Sequence, residues 1–526
     1  KPQLGASVRS SGVEFVLWSP ESKSVELQLK KSGASKSEPA LISMDRDELG
    51  YFKVLVPDAA AGDRYKFRLN KKESYPDPAS RFQPNGPHED SEVVDSNFEW
   101  TDQAWRGQDL KEIVIYELHV GTFSEAGTFK GIAEKIPHLK EMGLNAIEIM
   151  PIAQFAGKRN WGYDGVGLFA AHNTYGGTEN PVTALKSLIN ECHANGISVF
   201  LDVVYNHIGP EGNYLPKFGP YFQSKYKTPW GDALNFDGDW SDEVRHYFLQ
   251  NARQWLEEFH FDGLRLDAVH AIFDTSARPF LEDLTRLKKE IEAQRKIPLH
   301  LIAESEANDS RILMPYEEGG LALDGQWADD LHHVVHTLTT GEHDGYYSDY
   351  GRLEQLATAF QDGVVFHGEF SEARHRSHGR RYDKIERTRL VVCSQNHDQI
   401  GNRMKGERLL ILTNFEKQKL AAACVLLSPG LPLLFMGEEF AETAPFLYFI
   451  DHTDKDLLEA VRKGRKEEFK GFGWKEEPPD PGAVETFEAC KLNWKRAATD
   501  PLAQEAKTFY KKLIEASKWI RTSGVL

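Results

Sequence analysis

Cysteine is scarce in this sequence. The 526 residues include only Cys192, Cys393, Cys424 and Cys490, and no two of them form a CxxC pair. This spacing argues against a disulfide-stabilised scaffold and against a cysteine-ligated metal site. We therefore expect reduced thiols and a cytoplasmic location.

Long apolar runs and an excess of basic residues are also missing. No run reaches the length of about 18 apolar residues that a membrane-spanning helix requires, so we expect no membrane partner. The formal net charge of −17 argues against nucleic acid as a partner. Aromatic residues make up 11% of the chain, which favours a neutral polar ligand that stacks on rings, such as a sugar.

The first part of the chain is rich in short alternating runs, including VEFVLWSP, SVELQLK, YFKVLVP and DRYKFRLN. Turn-forming residues separate these runs, a pattern typical of a small antiparallel sheet protein. We predict an immunoglobulin-like N-terminal β-sandwich over residues 1–95. A connector over residues 96–109 follows it.

A different pattern of apolar and polar residues begins at about residue 110 and continues to residue 521. Eight apolar runs alternate with helical patterns: IVIYELHV, LNAIEIMPI, ISVFLDVVYNH, FDGLRLDAVH, LHLIAESE, GQWADDLHHV, LVVCSQNHD and PLLFMGEEF. This alternation predicts an α/β fold, a parallel (β/α)8 TIM barrel over 110–521, with loop insertions around 206–240. A doubly wound sheet is the second choice, because its G-x-G-x-x-G fingerprint is absent.

Charged residues stand at the ends of several predicted barrel strands. Arg265 and Asp267 are two residues apart, so a strand would point both to the same face. The Arg265 charge should lower the pKa of Asp267 and keep it ionised, as a nucleophile requires. Glu304 follows the apolar run LHLIA with no adjacent cation, which predicts a raised pKa.

One ionised and one protonated carboxyl are what a retaining glycosidase needs. Asp202 and Asp398 also follow predicted strands, so four carboxylates should converge on the rim of the barrel where such folds carry their chemistry. A buried structural ion network is the alternative explanation for any one of them.

The segments DVVYNH, GLRLDAVH, AESE and QNHD resemble, in order and spacing, the four signature regions of the α-amylase superfamily, glycoside hydrolase family 13. Within it the chain is most similar to the maltooligosyltrehalose trehalohydrolases, also called glycosyltrehalose trehalohydrolases. This similarity includes DAVHAI and the N-terminal sandwich, which the resemblance identifies as carbohydrate-binding-like. It implies cleavage of the α-1,4 bond next to a terminal trehalose, with loops beyond strands 3 to 6 setting specificity.

The resemblance also implies roles for individual residues. Asp267 corresponds to the nucleophile, Glu304 to the general acid and base, and Asp398 to the carboxylate that stabilises the transition state. Asp202 is given a structural role, tying strand ends together. Substrate-binding roles are implied for Tyr163, His207, Arg265, Leu266, Ala268, Val269, His270, Asp330, His332, His333, Asn396, His397 and Gln399.

Some features have simpler interpretations. The group His332, His333 and His336 could suggest a metal site. It is expected on a strand-to-helix turn and has no matching set of carboxylates, so contact with a sugar or a plain surface position is the favoured interpretation. We predict no metal and no cofactor. The basic run at 373–381 is expected to be a solvated loop. The family's C-terminal β-sandwich is expected to be absent or truncated, leaving 522–526 as a tail.

Other functions remain possible from the sequence. The nearest is a glycogen branching or debranching enzyme of the same superfamily, and a more distant one is a non-catalytic glucan-binding protein. The expected partners are maltooligosyltrehalose and related α-glucans. A maltooligosyltrehalose synthase is expected to act in sequence with the protein.

Overall fold

Nine short strands open the chain in a computed structural model that describes residues 1–33, 38–471 and 477–523. They are β1 Gly5–Arg9, β2 Gly12–Trp18, β3 Val25–Lys30, β4 Ala40–Ser43, β5 Asp45–Arg46, β6 Tyr51–Val56, β7 Arg64–Leu69, β8 Ser74–Tyr75 and β9 Ser91–Glu92. One antiparallel sheet has the order β1-β2-β6-β5, and the other has the order β4-β3-β7-β8 with β9 beside β7.

The alternating side chains of these strands form the core of the predicted sandwich. In β3 and β7 every second residue is buried, including Leu27 and Phe67. Trp18 at the end of β2 packs edge-on against Tyr221, with ring centroids 5.3 Å apart. Because Tyr221 lies beyond residue 110, this contact docks the sandwich on the rest of the molecule.

Eight of the remaining strands close into a parallel barrel. All strands after β9 in the described ranges, in the barrel or outside it, are β10 Ile115–Leu118, β11 Ala146–Ile149, β12 Ala153–Gln154, β13 Gly167–Ala171, β14 Ser198–Val203, β15 Phe222–Thr228, β16 Gly231–Leu234, β17 Gly263–Leu266, β18 His300–Ala303, β19 Gly325–Trp327, β20 Phe370–Ser371, β21 Arg376–Ser377, β22 Leu390–Cys393 and β23 Leu431–Phe435. The barrel order is β10-β11-β14-β17-β18-β19-β22-β23. The predicted fold and its eight strands are confirmed, and the other six strands form three hairpins.

Helices surround the barrel. They are α1 Val120–Phe123, α2 Phe129–Ala133, α3 Ile136–Met142, α4 Pro181–Ala194, α5 Leu215–Phe218, α6 Ser241–Arg253, α7 Phe280–Arg295, α8 Asp329–Thr340, α9 Leu353–Asp362, α10 His397–Gly401, α11 Leu409–Leu412, α12 Phe415–Leu426, α13 Lys455–Gly471, α14 Val484–Glu488, α15 Trp494–Thr499 and α16 Pro501–Ser523. A π-helical turn, Gln254–Glu258, extends α6. Sequence signals account for several helix starts: Asn180 caps α4 by accepting from the Val182 amide, and Pro181 occupies the first helical position.

Two segments close the barrel at its amino-terminal end. Trp105 of the connector donates to Asp262, immediately before β17, over 2.7 Å. Arg521 of α16 donates to the Ile113 carbonyl over 2.8 Å, so the last helix is held to the entry of β10. No strand follows Phe435 within the described ranges. Searching the same ranges finds no helix long and apolar enough to cross a membrane.

The start of β17 offers a test of how tightly the barrel packs. A Cβ at Gly263 would lie 2.4 Å from the His300 carbonyl oxygen and 2.6 Å from the Phe200 ring. We expect Gly263→Ala to lower the free energy of unfolding by about 1–3 kcal/mol, the usual effect of overpacking. Chemical denaturation followed by fluorescence measures it.

Gly464→Ala is the matched control. Gly464 lies in α13, and apart from its own helix backbone no described atom comes within 4 Å of an added Cβ. Alanine is favoured over glycine in a helix by roughly 1 kcal/mol, so this variant should be as stable as the parent or slightly more so. Equal stability of the two variants would contradict the packing at β17.

Candidate active site

A cleft of about 410 Å³ opens at the carboxyl ends of the barrel strands. It is lined by Trp161, Tyr163, His207, Trp230, Asp267, Ala268, His270, Glu304, Ser305, Glu306, Asn308, Asp329, Asp330, His333, Tyr346, Arg374, His397, Asp398, Gln399 and Asn402. A larger groove of about 930 Å³ runs along α6 and α7. Acids in that groove, such as Asp283, pair with arginines, and none of the predicted catalytic residues line it. The smaller cleft is therefore the candidate site.

Arg265 lies beneath the cleft and is 1% exposed. Its Nη1 is 2.8 Å from Asp202 Oδ2 and 2.9 Å from Asp267 Oδ1, and its Nη2 is 2.8 Å from Glu304 Oε2. The guanidinium carbon lies 4.3 Å from the centre of the Trp327 ring, a favourable cation–π contact. One planar cation thus joins carboxylates from three neighbouring strands at the same rim of the barrel.

Asp267 is held as a carboxylate. Besides its contact with Arg265, it accepts a hydrogen bond from Asn206 Nδ2 over 2.7 Å. Burial by itself raises the pKa of Asp267, but the Arg265 charge and these hydrogen bonds outweigh it, and the pKa is lowered. The acid is therefore ionised at neutral pH and has the character of a nucleophile.

Glu304 behaves in the opposite way, although not for the whole reason expected from the sequence. The expectation that it has no adjacent cation is wrong, because Arg265 contacts it directly. Burial nevertheless raises its pKa to about 8, and the charges of Asp267 and Asp398 add to the rise against the opposing effect of Arg265. The carboxyl retains a proton at neutral pH.

The backbone after Asp267 brings the two acids together. Ala268 has φ 39° and ψ 53°, a left-handed conformation that is costly for a residue with a side chain. In this conformation its amide donates to Glu304 Oε2 over 2.9 Å. The side chains of Leu266 and Val269 are buried and do not line the cleft, so these two residues contribute backbone geometry there.

A second network supports the other side of the nucleophile. Tyr163 donates to Asp202 over 2.6 Å, and its hydroxyl is 2.8 Å from His397 Nε2. His397 Nδ1 hydrogen-bonds to Glu117, whose second oxygen accepts from the His397 amide. Burial lowers the pKa of His397, but the Glu117 charge reverses this and raises it to about 9. Burial raises the pKa of Asp202 to about 6.

Glu117 and Trp230 also belong to this region, and no motif in the sequence predicted them. Glu117 lies within β10 and its burial inside the barrel could not be inferred from its sequence context. Trp230 lies at the turn of the β15–β16 hairpin, in the predicted insertion. Its ring stacks on His207 at 4.3 Å and 5°, while half of the side chain remains exposed. His207 is oriented by donating from Nε2 to the Tyr163 carbonyl over 2.8 Å.

The segment after β22 supplies Asp398 and Gln399 to the cleft. Asn396 caps α10 by accepting from the Gln399 amide over 2.8 Å, so it positions this turn and does not line the cleft. Asp398 accepts from Asn402 Nδ2 over 2.6 Å.

The histidines of the DDLHHVVH segment are inside the molecule. The prediction that they occupy a strand-to-helix turn or plain surface is wrong, because His332, His333 and His336 are buried in α8. Burial lowers the pKa of His333 to about 4 and holds that of His332 well below its usual range, so both are neutral. Only His333 reaches the cleft. No group of three or more His, Cys, Asp or Glu suited to a metal occurs in the described part of the chain.

Two outer positions complete the cleft. His270 is partly exposed and its Nε2 is 4.0 Å from Glu306. Arg374, expected in a solvated basic loop, lines the cleft instead and lies 3.8 Å from Asp349. Its role depends on the folding of a loop between α9 and β22, which no periodic pattern in the sequence indicates.

The guanidinium cluster predicts an unusually large effect of removing Arg265. Arg265→Met would leave three buried acids without their common cation, and loss of one member of a buried ion pair costs about 3–5 kcal/mol. We expect a loss of that size in the free energy of unfolding at neutral pH, measured by denaturant titration. Arg253→Met is the control, because Arg253 pairs with Glu257 and Glu290 at the surface and should cost under about 1 kcal/mol.

The family of the chain follows from its similarity to known proteins. The family described as alpha amylase, catalytic domain, matches residues 92–230, and carbohydrate-binding module 48 (isoamylase N-terminal domain) matches residues 3–88. A malto-oligosyltrehalose trehalohydrolase from Saccharolobus solfataricus is 45% identical over 98% of this chain and 87% of its own length. The enzyme of the same name from Arthrobacter ramosus is 42% identical over 95% and 86%.

Solved structures agree with this fold. A Salmonella typhimurium protein assigned as an alpha amylase superposes with a TM-score of 0.90 at 38% identity, over 99% of this chain and 87% of that one. A Bacillus subtilis type I pullulanase complexed with maltose gives a TM-score of 0.72 at 20% identity, over 98% and 72%, and supports the fold alone. The chain belongs to the malto-oligosyltrehalose trehalohydrolase family of α-amylase-type glycoside hydrolases.

Proposed function

We propose that the protein hydrolyses the α-1,4 bond next to the terminal trehalose of maltooligosyltrehalose, releasing trehalose and a maltooligosaccharide. The similarity to the two trehalohydrolases extends over nearly the whole chain and supports the substrate. The observation that carries the chemistry is one guanidinium that contacts both a low-pKa and a high-pKa carboxyl.

The first chemical step is displacement by Asp267. Its carboxylate attacks the anomeric carbon of the glucosyl unit while Glu304 gives its proton to the departing glycosidic oxygen. This step releases trehalose and leaves a glycosyl ester on Asp267. Arg265 keeps the attacking oxygen ionised and oriented.

Water completes the reaction in the second step. Glu304, now a carboxylate, removes a proton from water, and the hydroxide equivalent attacks the anomeric carbon from the face that trehalose left. The ester bond to Asp267 breaks, and two inversions give net retention of configuration. Neither step needs a cofactor.

The remaining residues bind the sugar that reacts. Tyr163 provides a stacking platform, and His207 and His397, whose rings are held by Asn206, Tyr163 and Glu117, line the pocket around the sugar. Asp398 stabilises the oxocarbenium-like transition state, since among the described residues only Asn402 donates to its carboxylate and acceptor positions remain for sugar hydroxyls. Trp230 extends the aromatic wall of the cleft beside His207.

Branching activity is the nearest alternative. A 1,4-alpha-glucan branching enzyme from Pseudoalteromonas atlantica is 26% identical over 48% of this chain, a weaker similarity than that to the trehalohydrolases. A non-catalytic glucan-binding role is disfavoured because Asp267, Glu304 and Asp398 all line the cleft.

The cysteines and the substrate indicate where the proposed reaction takes place and which reaction precedes it. We propose a cytoplasmic enzyme, supported by four free cysteines, of which Cys192, Cys393 and Cys490 are buried. Its substrate ends in two glucose units that are joined 1,1. Another enzyme must form that linkage first, and we propose that a maltooligosyltrehalose synthase does so.

Product analysis tests the function. The parent enzyme should release free trehalose from maltooligosyltrehalose, with the new reducing end first appearing as the α-anomer by NMR. Asp267→Asn should reduce kcat at least about 10⁴-fold, the scale of losing a covalent nucleophile, while still binding sugar. Asp383→Asn, at an exposed residue paired with Arg381, is the control. Branched product from amylose without trehalose would contradict the proposal.

The pH dependence tests the assignment of the acid. Because Glu304 must be protonated and its pKa is raised to about 8, kcat/KM should be lost as pH rises through about 8. The lowered pKa of Asp267 keeps the nucleophile ionised into the acidic range, so no loss is expected near neutrality. Intrinsic fluorescence controls for alkaline unfolding. An alkaline limb at the ordinary pKa of glutamate would contradict the raised pKa of Glu304.

A further inference from the structure

Two adjacent aspartates begin α8, and among the described residues hydrogen-bond donors reach the side chain of only the second, Asp330. Asp330 Oδ2 accepts from Asn308 Nδ2 over 2.9 Å and from the amides of Val365 and Phe366 over 2.6 and 3.0 Å. Its Oδ1 accepts from the Tyr350 hydroxyl over 2.6 Å. Three donors saturate Oδ2 and the Tyr350 hydroxyl holds Oδ1, so Asp330, although it borders the cleft, mainly holds three loops together.

Asp329 is the opposite case. Its side chain lines the cleft with Asp267, Glu304 and Asp398, yet within the described ranges no side chain or amide donates a hydrogen bond to it. Burial, followed by the charge of Asp398, raises the pKa of Asp329 to about 7. Asp329 is partly exposed to the cleft, and a partly buried carboxyl without protein donors is well suited to a ligand that supplies hydroxyl donors.

The barrel order locates Asp329 relative to the chemistry. It follows β19, which lies between β18, the strand before Glu304, and β22, the strand before Asp398. Tyr163 and His207 follow β11 and β14 and form the opposite wall. In the proposed reaction the glucosyl unit that reacts with Asp267 lies against that opposite wall, which leaves the wall of α8 to the departing unit that Glu304 protonates.

We propose that Asp329 binds hydroxyl groups of the departing trehalosyl unit, and that the neighbouring Asp330 positions the loops without touching the sugar. The inference rests on the proposed function and names a specificity residue for it. His333 and Tyr346 line the same wall and provide ring surfaces beside the carboxyl. Hydroxyl pairs on a non-reducing disaccharide are suitable donors to its two free oxygens.

The test uses two substrates that have the same glucosyl units and different leaving groups. Maltotriosyltrehalose and 4-nitrophenyl α-maltotrioside present the same three glucosyl units, but the second has nitrophenol in place of trehalose. Asp329→Asn should lower kcat/KM for the first by about 10–100-fold, the effect of losing hydrogen bonds to a charged group. It should lower kcat/KM for the second by less than about 3-fold.

Inhibition by trehalose gives an independent measurement. With the nitrophenyl substrate, Asp329→Asn should weaken competitive inhibition by trehalose by about 10-fold or more and leave inhibition by maltotriose unchanged. Asp330→Asn is the matched comparison at the next residue. It places an amide against backbone donors, so it should lower the melting temperature and impair both substrates equally.

The kinetic results distinguish failure of the Asp329 assignment from failure of the proposed function. Equal losses on both substrates for Asp329→Asn, or no loss on either, would overturn the assignment. Failure of the parent enzyme to release trehalose from maltotriosyltrehalose would overturn the proposed function itself. Trehalose release by the parent together with parent-like kinetics of Asp329→Asn would remove only the inference.

Discussion

The site depends on a single buried guanidinium that faces three acids. Arg265 contacts Asp202, Asp267 and Glu304 within 2.9 Å, and one positive charge cannot stabilise three negative charges away from water. At least one acid must therefore hold a proton. Glu304, with its pKa raised to about 8, holds it, while Asp267 does not. The division between proton donor and nucleophile follows from this imbalance of charge.

The parallel barrel makes that arrangement possible. Adjacent parallel strands end at the same rim, so β14, β17 and β18 deliver Asp202, Asp267 and Glu304 to neighbouring points. The left-handed turn at Ala268 then directs an amide to Glu304. Strained backbone of this kind persists only where the surroundings enforce it, and the buried strands on either side do so.

The two walls of the cleft have different origins and different tasks. Tyr163, His207 and His397 form a hydrogen-bonded unit anchored on Glu117 in the barrel interior, which suits precise placement of the reacting sugar. The other wall consists of α8 and the loops that Asp330 ties together. Variation in those loops can change the leaving unit without disturbing the charges below, which is how a common barrel serves different glucans.

The sequence by itself determined the barrel, because buried parallel strands are read as near-continuous apolar runs, and it determined the strand-end acids. It also determined the low pKa of Asp267, since Arg265 lies two residues away on the same strand face. Only the tertiary structure decided that Arg265 also reaches Glu304, that Glu117 supports His397, and that Asp330 but not Asp329 is held by hydrogen-bond donors from the described part of the chain. These are contacts between segments that are distant in the sequence. Neighbouring residues in a helix or loop also point in different directions, and the local sequence does not indicate which of them meets the cleft.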